Sequence, residues 1–306
     1  MSRLAAPLHT LALAVAVALT AAAGPHAQSR TKVVMLGTGT PNADPDRYGP
    51  SVAIVVDEAS YLVDFGVGVV RRAAAAERAG ITALNATNLK YAFATHLHSD
   101  HTLGLADLIL TPWILERSTP LTLYGPRGLQ AMVNHLVAAY QDDLHVRQTG
   151  GEPKHQYDPH VVHVHEITPG VVYKDDRVTV TAFAVAHGGW PQAFGYRFQT
   201  PDRTIVISGD TGPHSHVEDQ CQRCDVLVHE VYSEAGFAKR TPDWQAYHAR
   251  NHTSSRELGA IASRARPGLL VLYHQLIWSS TEDDLLKEVR SAYDGKVVSA
   301  HDLDVF

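Results

Sequence analysis

The chain has 306 residues, of which 45% are hydrophobic, and a formal net charge of −6 at pH 7. This length can bury one large α/β core, and the sequence shows no internal repeat. The negative balance excludes a protein that holds nucleic acid through a general basic surface. The 19 histidines are numerous, and neutral imidazole is the commonest metal ligand near physiological pH.

The N-terminal segment has the layout of a secretory signal peptide. Arg3 precedes an apolar run over 11–23, which is followed by small residues. The run is shorter than the roughly 20 residues of a membrane-spanning helix. We therefore expect a signal peptide at 1–28, a single domain at 29–306, and a periplasmic or secreted protein without membrane attachment.

The first half of the mature chain alternates short strands with helices. Apolar runs between Gly, Pro, Asn and Asp clusters predict strands near 32–36, 51–56 and 60–64. An Ala-rich helix follows and is stopped by Gly80. Two strand, turn and helix units come next, "KYAFATHLHSDHTLGLADLIL" and "LTLYGPRGLQAMVNHLVAAYQ".

The second half repeats this organisation. Five short β runs precede an amphipathic helix, "SSRELGAIASRA", a buried strand, "LLVLYHQL", and a last helix for which Thr281 is the expected N-cap. The β runs are "VVHVHEI", "VTVTAFAVAH", "AFGYRFQ", "TIVISGD" and "DVLVHEVY". Two successive rounds of strands and helices predict an α/β fold, a four-layer αββα sandwich in which the strand ends meet at one edge.

One loop carries an unusual concentration of metal-ligating residues. His96, His98, Asp100 and His101 lie between an apolar strand and an apolar helix. Side chains two apart in an extended segment point the same way, so His96 and His98 can bind one ion while the other two face a second. The ligand types, their spacing and their position between a strand and a helix predict a metal site.

Two ions need more ligands than this loop supplies. His187, Asp210 and His274 each end a predicted strand, where they could complete two coordination shells. A carboxylate can bridge two cations, and an open position would remain for water.

Together these segments resemble metallo-β-lactamase-fold hydrolases, in particular the ribonuclease Z and arylsulfatase-like branch. The matching segments are "MLGTGTP", "THLHSDHTLGL", "AHGGWPQAFGYRF", "SGDTGP", "VLVHE" and "NHTSSRELGAIA". The resemblance implies two Zn²⁺ per chain, with Mn²⁺ or iron as alternatives because such ligands accept several metals. It implies the following ligands: His96, His98 and His187 for one ion, Asp100, His101 and His274 for the other, and Asp210 between them.

The resemblance also assigns residues beside the metals. His252 matches a histidine that contacts the scissile phosphate and assists the leaving group, and Glu230 matches the carboxylate that orients it. Asp100 joins these two as a catalytic residue, and Asp64 matches an aspartate that orients a ligating histidine.

The implied activity is hydrolysis of a phosphodiester by a metal-bound hydroxide. The family's transfer-RNA-clamping arm would lie between "GYR" and "GDT", where only "FQTPDRTIVIS" stands, and "QLIWSS" replaces its Ser-Arg-Tyr sequence. We therefore expect a small or short-oligonucleotide ester and no stable nucleic-acid complex. Arylsulfatase, lactonase or β-lactamase activity at the same metals is an alternative, as is a metal-dependent binding protein on a hydrolase fold. The family commonly forms homodimers, for which the sequence has no independent sign.

Other residues have weaker assignments. Cys221 and Cys224 form a CxxC that is structural or incidental. His163 and His165 share an exposed strand face, whereas His214 and His216 follow the bridging aspartate and could line a substrate cleft. Four aromatic residues could line it too: Trp190, Phe237, Trp244 and Tyr247.

Overall fold

The strands form two sheets in the computed structural model, which describes residues 1–2 and 29–306. The first sheet contains, in this order, β1 (Thr31–Gly37), β2 (Ser51–Val56), β3 (Ala59–Val63), β4 (Tyr91–Phe93), β5 (Thr122–Gly125) and β6 (His163–Glu166). The second contains β7 (Gly170–Lys174), β8 (Thr179–Ala184), β9 (Phe194–Gln199), β10 (Thr204–Ile207), β11 (Val226–Tyr232), β12 (Leu269–Leu276) and β13 (Val297–Ser299).

Helices connect the strands and flank the sheets. They are α1 (Val69–Arg78), α2 (Ser99–Thr102), α3 (Leu105–Ile114), α4 (Leu129–Ala139), α5 (Gln141–Thr149), α6 (Ser215–Cys221), α7 (Glu234–Phe237), α8 (Pro242–Asn251), α9 (Ser255–Ala265) and α10 (Glu282–Arg290). Two short 3₁₀ turns lie at Thr82–Leu84 and Ala86–Asn88.

Three buried apolar clusters separate four layers. One joins the first sheet to α1, α3 and α4, a second lies between the sheets, and a third joins the second sheet to α6, α9 and α10. In β11, Val226 and Val228 face the other sheet while Leu227 faces the helices, as the two-residue period of a strand requires. The predicted four-layer αββα sandwich is confirmed.

The predicted element positions are close to the observed ones. The three N-terminal strands match, α1 ends just before Gly80, and Thr281 caps α10 by accepting a hydrogen bond from the Asp284 backbone N–H. β11 and β12 also match the predicted β runs, but His274, which was also expected to end a strand, lies inside β12.

The parallel strands of the two sheets point toward one region. β3 to β6 are parallel in the first sheet, and β10 to β13 are parallel in the second. Their carboxyl ends carry the loops with the metal-ligating side chains, which is the usual place for a site on parallel strands. β9 and β10 form an antiparallel hairpin through a short turn at 200–203.

The two cysteines of the CxxC are bonded to each other. A disulfide joins Cys221 at the end of α6 to Cys224, and both are buried against the second sheet, which supports a structural role. Almost all of the predicted signal peptide, 1–28, lies outside the described residues. Within the described part, no helix has the length and apolar character needed to cross a membrane.

Phe93 links the core between the sheets to the start of the metal-binding loop. Its ring centroid lies 5.0 Å from that of Tyr124 and 5.6 Å from that of Tyr196, and the residue is fully buried. We expect Phe93→Ala to lower the free energy of unfolding by about 3–5 kcal/mol, because it leaves a cavity. Val146→Ala, at a residue 64% exposed, should change it by less than about 0.5 kcal/mol. Equal values for the two variants in denaturant titration would contradict this account.

Candidate functional site

Three of the predicted histidines converge at one point. His96 and His98 lie in the loop between β4 and α2, and His187 follows β8. The Nδ1 atom of His98 is 2.9 Å from His96 Nε2 and 3.1 Å from His187 Nε2. These atoms and a carboxylate oxygen of Asp210 all lie within 4.8 Å of one another. The arrangement can hold one cation with three nitrogens and one oxygen.

A second group lies directly beside the first. Asp100 and His101 belong to α2, and His274 comes from β12. The Oδ2 atom of Asp100 is 3.5 Å from His101 Nε2 and 3.2 Å from His274 Nε2. Imidazole nitrogens and a carboxylate oxygen again face a common point.

Asp210 lies between the two groups. Its Oδ2 atom is 3.4 Å from His101 Nε2 and 3.5 Å from His274 Nε2. The same atom is 3.9 Å from His187 Nε2 and 4.0 Å from His96 Nε2. A single carboxylate therefore reaches both groups, so the structure brings all seven predicted ligands together.

A bulge in β12 aims His274 at the site. Glu230 pairs with Tyr273 and the next residue of β11 pairs with Gln275, so His274 is left out of the ladder. Its φ of 45° lies in the left-handed region, which is sparsely populated for a residue other than glycine. β-bulges of this kind redirect a side chain beside functional sites. The sequence pattern had no signal for this bulge.

Asp64 orients His101 and the metal-binding loop at once. Its Oδ2 atom lies 2.8 Å from His101 Nδ1 and accepts a hydrogen bond from the Thr95 hydroxyl at 2.9 Å. The Oδ1 atom accepts the Thr95 backbone N–H at 2.8 Å. A carboxylate on Nδ1 directs the free Nε2 of His101 toward the two clusters, as it does in many metal sites.

The first group is oriented in the same way. His187 Nδ1 lies 2.8 Å from the backbone oxygen of Asn251, and His96 Nδ1 lies 3.0 Å from the Thr95 hydroxyl. Each ring therefore presents Nε2 to the site, so the backbone and side chains around the ligands fix their orientation.

Two buried polar atoms support a cation at this place. His101 Nε2 and Asp210 Oδ1 are buried and have no hydrogen-bond partner in the described structure. Burial alone would raise the pKa of Asp210, but the charges of His274 and His101 outweigh it and hold the pKa well below its usual range. Burial, followed by the charge of His187, lowers the pKa of His98 to about 4. Burial would lower the pKa values of His101 and His274, but the nearby carboxylates, Asp210 first, outweigh it and raise both. A divalent transition metal bound here would displace those protons and meet an ionised carboxylate and neutral imidazoles.

His252 and Glu230 form a buried pair beside the clusters. His252 lies between α8 and α9, and its Nδ1 atom is 3.3 Å from Glu230 Oε2. The Thr253 backbone N–H donates to Glu230 Oε1 at 2.8 Å. Burial lowers the pKa of His252 to about 4 and, together with Asp210, raises the pKa of Glu230 well above its usual range. The pair therefore holds a neutral imidazole in a fixed orientation.

A cavity of about 320 Å³ opens over both groups. Trp244 and Tyr247 line it as expected, whereas Phe237 does not and instead stacks on Tyr232 at 5.0 Å between centroids. Trp190 contacts the rings of His96 and His98 with centroid distances of 6.0 and 5.1 Å, but it does not line the cavity.

The remaining histidine pairs lie elsewhere. His214 caps α6, and His216 Nδ1 lies 2.9 Å from the backbone oxygen of Ala184, so neither lines the cleft as proposed from the sequence. His163 and His165 are exposed on β6, as expected.

Arg240, His248 and Trp278 are among the lining residues that the sequence analysis did not single out. The spacing of Trp244, His248 and His252 could have revealed His248, because residues four apart share one face of a helix. Arg240 and Trp278 have no comparable spacing signal.

Fold and site together define a metallo-β-lactamase-type metal-dependent hydrolase. Residues 60–275 match the family model described as the beta-lactamase superfamily domain. The chain belongs to this superfamily and, because ribonuclease Z relatives match it at 31% and 33% identity, to the ribonuclease Z-like proteins within it.

The relatives extend over nearly the whole chain. Ribonuclease Z of Mycobacterium bovis is 31% identical over 284 residues, covering 89% of this chain and 96% of the relative. Ribonuclease Z of Mycobacterium sp. strain KMS is 33% identical over 280 residues, covering 89% and 94%.

Solved structures share the fold at lower sequence identity. The metallo-beta-lactamase fold protein YhfI of Bacillus subtilis has a TM-score of 0.68 at 20% identity, covering 90% of this chain and 98% of its own. The short form of human tRNase Z has a TM-score of 0.64 at 22% identity, with the same coverage.

Asp64 provides a specific test of the metal-site geometry. Its φ of 60° is one that Asn also tolerates, so Asp64→Asn preserves the backbone. An amide NH₂ facing His101 Nδ1 would favour the tautomer with its proton on Nε2, the atom that must be free to bind metal. We expect metal affinity to fall about 10- to 100-fold.

The measurement is competition with a chelator of known affinity. Asp176→Asn removes a carboxylate that is exposed on the surface, and it should leave metal affinity unchanged. Wild-type affinity in Asp64→Asn would refute the orienting role.

Proposed function

We propose that the protein is an exported dinuclear zinc phosphodiesterase. The observation that carries the proposal is the position of Asp210, whose Oδ2 atom lies within 4.0 Å of ligand nitrogens from both groups. A carboxylate placed in this way would serve two cations at once. The ribonuclease Z relatives support a phosphodiester as the bond that is cleaved.

The ligands divide into two sets of three around the shared Asp210. His96, His98 and His187 would hold one ion, and Asp100, His101 and His274 would hold the other. When bound, such a pair of ions lowers the pKa of water and offsets negative charge on a phosphoryl oxygen. The protein fixes the orientation of His96, His101 and His187 through contacts to their Nδ1 atoms.

His252 acts on the leaving group. Glu230 holds its Nδ1, and His252 lines the cavity, so Nε2 is the ring nitrogen available to substrate. A neutral imidazole with its proton on Nε2 can donate a hydrogen bond to the departing oxygen and stabilise the charge that develops there. Asp100 takes part as a ligand of the second group, with its Oδ2 atom 3.2 Å from His274 Nε2.

The substrate is a small ester or short oligonucleotide. The cavity volume of about 320 Å³ lies at the lower end for small-molecule sites. The short turn at 200–203 leaves no arm between β9 and β10 that could clamp a folded RNA. The net charge of −6 likewise does not favour binding of a large polyanion. We further propose that residues 1–28 direct export and that 29–306 act as a single domain.

Metal content and turnover test the proposal together. We expect about two zinc ions per chain, with hydrolysis of bis(4-nitrophenyl) phosphate that chelation removes and zinc restores. Asp210→Ala should lose both metal and activity, because it removes the carboxylate that reaches both groups. One ion per chain, or full activity in this variant, would refute the dinuclear site. If the protein instead hydrolyses a nitrophenyl sulfate, a lactone or a cephalosporin and not the phosphodiester, its activity is that of an arylsulfatase, a lactonase or a β-lactamase.

His252 provides a separate test of the leaving-group role. We expect His252→Ala to lower kcat by about 10²- to 10⁴-fold with metal content unchanged. The loss should be smaller for a 4-nitrophenolate leaving group, which needs little stabilisation, than for an alcohol. His216→Ala, at an exposed histidine outside the cavity, is the control. An equal loss with both leaving groups would argue against the role.

A further inference from the structure

A cationic side chain lies between two indole rings at the cavity. The guanidinium carbon of Arg240 is 5.3 Å from the ring centroid of Trp244 and 5.4 Å from that of Trp278. Both distances are within the range of cation–π attraction. All three residues line the cavity over the metal-ligand groups. The two rings hold the guanidinium in place, which lowers the entropy cost of using it to bind a ligand.

The polar atoms at this place lack partners. Arg240 Nε is buried and has no hydrogen bond within the described structure, and the same is true of both ring nitrogens of His248. His248 is 6% exposed. Its ring centroid lies 4.7 Å from that of Trp278 and 5.5 Å from that of His252. Buried polar atoms are normally satisfied, so these three nitrogens point to a ligand.

The chemistry of these groups favours an anion over an aromatic ring. A guanidinium offers several N–H donors that match phosphate or carboxylate oxygens. The indoles already contact Arg240, and the His248 ring stacks on Trp244 at 5.5 Å with an interplanar angle of 21°. Each indole thus already contacts both Arg240 and His248, whose buried nitrogens have no hydrogen-bond partner in the described structure.

We propose that Arg240 is a specificity-determining residue that binds a second anionic group of the substrate, with His248 as a further donor. This inference rests on the proposed phosphodiesterase function, and it narrows the substrate class. The preferred substrate is a nucleotide-sized phosphodiester that carries a phosphate or carboxylate apart from the scissile phosphate. The scissile phosphate would lie at the metal-ligand groups, and Arg240 would bind the second phosphate or carboxylate.

A matched pair of substrates tests this directly. The 4-nitrophenyl ester of thymidine 5′-phosphate and its 3′-phosphorylated counterpart share the leaving group and differ in one anion. For wild type, we expect a lower KM for the 3′-phosphorylated ester. Arg240→Gln should raise the KM for the 3′-phosphorylated ester by about 10- to 100-fold, because a charge-assisted contact is lost. The kcat for this ester and the KM for the ester without the 3′-phosphate should change little.

Binding provides a readout that does not depend on turnover. Calorimetry with the zinc-loaded protein should show that thymidine 3′,5′-bisphosphate binds more tightly than thymidine 5′-phosphate, and that Arg240→Gln abolishes the difference. Arg250→Gln, at an exposed arginine of α8 outside the cavity, is the matched control. Arg240→Lys keeps the charge without the planar fork and should retain part of the preference. Unfolding curves for each variant exclude a folding defect.

The outcomes separate the two proposals. If neither ester is hydrolysed but the binding preference depends on Arg240, the phosphodiesterase function fails and the anion site stands. Equal wild-type affinity for the two thymidine phosphates would overturn the anion site. So would a preference that survives Arg240→Gln but is lost in Trp244→Leu, because the indole would then be the part that binds substrate.

Discussion

The site depends on one buried carboxylate held among imidazoles. Asp210 is 3% exposed, and an isolated charge at such a position would be strongly unfavourable. Its neighbours and a bound cation offset that cost, so the surrounding fold must deliver several ligands to within 4.0 Å of one oxygen. Gly209 allows the chain to reach this position, because its φ is 61° and a Cβ there would lie 2.7 Å from the Phe194 backbone oxygen.

The four-layer architecture meets this requirement by supplying ligands from both sheets. The first sheet contributes the loop after β4, and the second contributes the loops after β8 and β10 and the bulge of β12. The left-handed residues Asp64 and His274 lie at the points where the chain must depart from regular strand geometry. Such strained positions persist only when packing on both sides fixes them. The three apolar clusters provide that packing, so stability and function are linked through the same strands.

The sequence predicted the layers from local patterns, and it singled out seven residues that the structure brings together, four from their spacing in one loop and three from their predicted places at strand ends. Apolar periodicity identifies strands and helices, and His96, His98 and Asp100 are close in sequence. It did not predict that His274 lies in a bulge, since a strand pattern does not show where its partner skips a residue. It also missed Arg240 and Trp278, whose proximity arises only when the segment after β11 folds against the end of β12.

The predicted metal ligands and the residues proposed to recognise a second anion lie in different parts of the chain. Every metal-ligating residue is attached to a strand, the loop directly after it, or the short helix α2, and is held by the core. Arg240, Trp244 and His248 belong instead to the segment between β11 and α9, which covers the site from one side. Substitutions in that segment can change which anion is recognised without moving a metal ligand. The end of α8 links the two parts: His252 adjoins both His248 and the Asp210 carboxylate, and the Asn251 backbone oxygen holds His187 Nδ1.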